Sequence, residues 1–69
     1  MLRIEKELYD RHLSQSKLSR MADVNQSSMS RIVRGVEPAF PKRGQRIADA
    51  LGWEGNWEEL FEEIEEDKE

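Results

Sequence analysis

Gln26, Ser27, Ser30 and Arg31 carry side-chain groups able to pair with the polar edges of nucleobases, and they stand close together in the chain. A primary amide can pair doubly with the N6/N7 edge of adenine, a guanidinium with the O6/N7 edge of guanine, and a hydroxyl with either. Gln15, Asn25, Ser28 and Arg34 supply donors suited to phosphate oxygens, and Lys17, Lys42 and Arg43 stand behind them. Phosphate contacts set register without carrying sequence information. For Lys17 and Lys42 plain surface solvation is an equal alternative. Rival chemistries find little material. The chain has one histidine, His12, with no nucleophile or orienting carboxylate beside it, and no cysteine, so thiolate metal sites and disulfides are out. There is no glycine-rich phosphate loop and no ligand spacing. Neither an enzyme activity nor a metal or cofactor is expected.

The elements that must position these groups lie in residues 14–35. Ser14 and Asn25 stand where helix N-caps would, because their side-chain oxygens can accept from the first free backbone N–H groups. Leu18, Met21 and Ala22 follow the first cap, and Met29, Ile32 and Val33 the second, each triplet at i, i+3 and i+4. Asp23 falls in the only space for a turn and tolerates a left-handed backbone better than most residues. Gly35 suits the end of the second helix. Gln26, Ser27, Ser30 and Arg31 then share the outer side of that helix. The expectation is a helix–turn–helix.

Around it the pattern predicts an all-α chain of five helices in one domain, residues 1–69. A first helix spans residues 2–12, with Ile4 and Leu8 on its inner side and His12 as a partly exposed side chain at its end. Residues 36–40 form a loop, interrupted by Pro38. Pro41 opens a fourth helix, where a missing N–H costs nothing. Phe40, Ile47, Ala48 and Leu51 make its stripe, Lys42, Arg43 and Arg46 its basic entry, and Gly52 its end. Gly44 inside that helix costs about 1 kcal/mol against alanine, so it marks either a close backbone contact or a later start. A fifth, acidic helix is expected over about residues 55–66. Trp57, Leu60, Phe61 and Ile64 stand at i, i+3, i+4 and i+7 there, Leu60, Phe61 and Ile64 close the core, and residues 67–69 fray.

The net charge of −4 conceals an asymmetry. Residues 1–46 hold ten Lys and Arg against five Asp and Glu, for +5, and residues 47–69 hold one against ten, for −9. A basic body carries an acidic tail. No apolar run approaches membrane-spanning length and no signal peptide is visible, so a cytoplasmic protein is expected. A chain of 69 residues buries only about 60% of its unfolded surface. Its stability should be modest.

Residues 14–35 resemble the helix–turn–helix of lambda-type phage repressors and the wider Cro/CI (Xre-like) family of transcription regulators. The resemblance rests on Leu13, Ser14, Gln15, Leu18, Val24, Ser28, Ser30, Gly35 and Pro38, with Met29 in an apolar slot, and it continues through residues 47–53. It implies a compact five-helix, lambda-repressor-like domain. By the same resemblance Gln26 and Ser27 read bases in the major groove, and Gln15 holds a phosphate and buttresses the first reader. Three departures stand out: Asp23 replaces a turn glycine, Ser19 replaces a small alanine and needs a hydrogen-bond partner, and Leu8 and Val33 replace a buried Arg–Glu pair. Apolar residues can substitute for such a pair when both ends change together.

The expected function is sequence-specific binding of double-stranded DNA in transcriptional regulation, repressor-like, as a homodimer on paired half-sites. Two alternatives use the same fold. One is an antitoxin-type regulator that also binds a protein partner, with the acidic last helix as a possible contact. The other is an architectural or recombination accessory protein of a mobile element.

Overall fold

The computed structural model describes residues 1–65. Four α-helices follow one another: α1 (Arg3–Asp10), α2 (Gln15–Ala22), α3 (Gln26–Val33) and α4 (Pro41–Leu51). A 3-10 helix covers Trp57–Phe61. The described chain contains no β-strand, only an isolated antiparallel bridge between Leu2 and Glu63. None of its helices is long and apolar enough to cross a membrane.

Local chemistry sets the helix starts. The Ser14 side chain accepts from the Lys17 N–H at 3.0 Å. Asn25 Oδ1 accepts from the N–H groups of Ser27 and Ser28. Pro41 begins α4. The helix ends share one device. His12, Asp23, Gly35 and Gly52 all have positive φ. After each of them an N–H reaches back five residues: Leu13 to Leu8, Val24 to Ser19, Val36 to Arg31 and Trp53 to Ala48. This satisfies carbonyls that a helix end leaves free. Asp23 thus takes the left-handed turn expected of it (φ 57°). His12 does the same at φ 54°. Its side chain is exposed, as expected at a helix end, and its left-handed backbone turns the chain out of the helical phase.

The core joins all four helices. Ile4 and Leu8 of α1 meet Leu18 and Ala22, Met29, Ile32 and Val33, then Ile47, Ala48 and Leu51, with Leu60 beneath them. α2 packs on α3 and α4, and the 3-10 helix on α4 and α1. Leu8 and Val33 are both buried in this cluster. Ser19 is the one buried polar residue among the described residues, and its hydroxyl finds the Ser16 carbonyl at 2.7 Å.

Met21, expected on the α2 stripe, is 49% exposed. The buried side of α2 is Leu18, Ser19 and Ala22. At about 100° per residue, Ala22 and Ser19 turn to one side of Leu18 and Met21 to the other. Phe40, expected on the α4 stripe, is also exposed. It is the residue before α4 and has an extended backbone (ψ 162°), so helical spacing does not apply to it. Gly44 takes the inner place instead. A Cβ there would lie 2.5 Å from Trp57 Cζ3. The glycine therefore marks close contact with an indole. Gly44→Ala should lose about 1–3 kcal/mol to overpacking, more than the roughly 1 kcal/mol gained in helix propensity. A thermal melt checks this; a raised midpoint would mean the indole swings away freely.

The fifth element departs most from expectation. It is a five-residue 3-10 turn, capped by Asn56 Oδ1 on the Glu58 N–H, and the chain is extended from Glu62. The Arg3 N–H donates to the Glu62 carbonyl at 3.0 Å and the Ile64 N–H to the Met1 carbonyl at 2.8 Å. The terminal ammonium of Met1 pairs with Glu63 at 2.6 Å. Continued α-helix would have set Glu58 against Glu62 and Glu59 against Glu63 at i, i+4, which is repulsive. Pairing with the first residues satisfies the same backbone groups without that repulsion. Leu60 still fills the core, with Trp57 and Phe61 packed against it. Ile64 is half-buried outside the core cluster. The expectations for residues 66–69 fall outside the described residues.

Candidate nucleic-acid interface

α3 presents its two sides to different surroundings. Met29, Ile32 and Val33 are buried, which fixes the helix by its inner face. Gln26, Ser27, Ser30 and Arg31 lie on the other face and, with Arg34, line one open hollow at the surface. Gln26, Ser27 and Arg31 are exposed and Ser30 is half-buried. The hollow gathers an amide, two hydroxyls and two guanidiniums. Those are groups able to donate to and accept from a planar polar edge.

The remaining candidates serve mixed roles. The Asn25 oxygen is spent on the α3 cap. Ser28 is half-buried, and its N–H is one of those capped. Arg34 ends α3, and its Nε donates back to the Ser30 carbonyl at 3.3 Å. Gln15 is the first residue of α2 and half-buried. Lys17 and Lys42 are exposed, on α2 and α4. The members that the structure joins are the four base-reading candidates and Arg34, together with Arg43 by way of Glu37. Arg46 of the basic entry instead braces the turn after α2, where its Nη2 donates to the Asp23 carbonyl at 3.2 Å.

Sequence reasoning did not single out Glu37. Its Oε1 accepts from Arg31 Nε at 2.8 Å, and its Oε2 accepts from Arg43 Nη2 at 2.9 Å. The hydrogen bond from Arg31, then that from Arg43, hold the Glu37 carboxyl below the ordinary glutamate value. The only available signal was a lone acid among arginines, six residues from both Arg31 and Arg43. Because the folded value is depressed, this tether contributes at neutral pH and is lost as pH falls through that lowered value. A carboxylate NMR titration should give Glu37 a midpoint below the ordinary glutamate value. An ordinary midpoint would mean that the two arginines do not hold it in solution.

Arg11 was also passed over. Its Nη1 donates to the Leu51 carbonyl at 2.7 Å while its Nε meets Glu7. A cation thus sits at the C-terminal end of α4, where the helix dipole favours one.

No protein-family model matches the chain, and neither a curated protein nor a solved structure does.

Proposed function

We propose that this chain binds double-stranded DNA in a sequence-specific way and regulates transcription, repressor-like, with α2, the Asp23 turn and α3 acting as a helix–turn–helix. α3 enters the major groove in this reading. Gln26, Ser27, Ser30 and Arg31 read base edges, Arg34 and Gln15 hold phosphates, and Lys17 and Lys42 add attraction at the margins. The observation that carries the reading is the shared exposed face of the four readers on a helix clamped from behind by the core. The major groove is about 12 Å wide and admits one α-helix. The charge distribution supports the same orientation. Ten of the eleven basic residues belong to the first 46 positions, and the acidic 3-10 segment packs on α1 and α4. One module of this size makes few phosphate contacts, so the binding unit is a homodimer on two half-sites.

The test is selection of bound duplexes from a random pool at two salt concentrations. The expected result is a palindromic consensus with half-site centres about 10–10.5 base pairs apart, or a multiple of that. Enrichment without a consensus would remove the sequence-specific reading and leave an architectural binder. No retained DNA at low salt would remove the DNA reading altogether.

A further inference from the structure

Arg31 is the reader with the longest reach and the most freedom, and the fold removes part of that freedom. Its backbone carbonyl accepts from the N–H of Val36 at 2.9 Å and from that of Glu37 at 3.3 Å, so the loop after α3 curls back over it. The Glu37 carboxylate then takes its Nε, and Arg43 of α4 takes the other oxygen. Glu37 and Arg43 are each about three-quarters covered, with side chains 24% and 25% exposed, while Arg31 is 47% exposed. The guanidinium is planar, so a bond at Nε restricts its plane as well as its position. Nη1 and Nη2 are left without a partner among the described residues. They form the edge that can fork onto guanine O6 and N7. The same carboxylate offsets charge that would otherwise draw any phosphate.

We propose that Glu37, anchored by Arg43, is a positioning residue that aims Arg31 at a guanine edge and weakens its pull on DNA of any sequence. The proposal rests on the DNA reading given above and deepens it. It assigns Arg43 to holding Glu37 and not to phosphate. Selectivity at one base position is then set by a side chain that touches no base.

The experiment compares the parent, Glu37→Gln, Arg43→Gln and Arg31→Ala. Each is bound to the selected duplex, to that duplex with each guanine replaced in turn, and to a random-sequence duplex, at two salt concentrations. Melting curves confirm that each variant is folded. Arg31→Ala identifies the guanine it reads, where the parent's preference should be roughly 5- to 150-fold. Glu37→Gln should cut that preference about three- to fivefold, while random-duplex binding rises about two- to fivefold at low salt. Arg43→Gln should lower preference at the same position. In the free protein the Arg31 Nε–H resonance should be sharp in the parent and averaged in Glu37→Gln, which reads the tether without DNA.

Glu37→Gln binding every duplex more tightly with preference intact would overturn the positioning role and leave a neutralising charge. An unchanged Nε–H resonance would overturn the tether. Uniform loss in Arg43→Gln with a shallower salt dependence would make Arg43 a phosphate contact and overturn its anchoring. A parent that prefers no sequence would bring down the reading of α3, and the role of Glu37 with it.

Discussion

Val33→Glu is expected to unfold the protein. Val33 is fully buried in the cluster that holds α3 by its inner face. A carboxylate placed there finds no partner, and an unpaired buried charge costs about 3–5 kcal/mol. A single domain of this length has about 3–10 kcal/mol in all. Leu8 is buried in the same cluster, and an arginine there would offer the carboxylate a partner. Adding Leu8→Arg to Val33→Glu should therefore restore much of the loss. Urea melts of the two single variants and the double decide it. Strictly additive losses would show that the two side chains do not meet across the core.

Gln26→Ala and Arg31→Ala are each expected to cost about 1–3 kcal/mol on the selected site and to relax preference at one base position apiece. Both side chains are exposed, on a helix whose packing residues are elsewhere, so folding should survive either change. Arg34→Ala should behave differently. As a phosphate contact it should weaken binding to all sequences alike and reduce the salt slope by about one. Titrations against the selected duplex, its single-base variants and a random duplex separate the two patterns. Gln26→Ala binding the selected site as tightly as the parent would sink the major-groove assignment. A sequence-selective effect of Arg34→Ala would move that residue among the base readers, whose hollow it lines.

What the sequence determined by itself was decided by interactions a few residues long. Ser14 and Asn25 cap within two or three positions, Asp23 and Gly35 turn left-handed where the apolar spacing stops, and Pro41 and Gly52 bound α4. The polar outer side of α3 was legible for the same reason, since its phase follows from Met29, Ile32 and Val33. Spacing alone did not say how far a buried stripe reaches around a helix. Met21 and Phe40 carry the right chemistry for a core, yet α2 is covered on its Ser19 side and Phe40 precedes the helical phase. The last element was decided by the opposite end of the chain. Its apolar spacing suits an α-helix, but the residues after Phe61 pair with Met1 and Arg3. Gly44 could be read only as one of two cases until Trp57 was seen against it. Glu37 gave no motif at all, because its role depends on where a loop sets it between α3 and α4. Contacts of this kind have no periodicity to announce them. They exist only once the core has fixed the distance between elements.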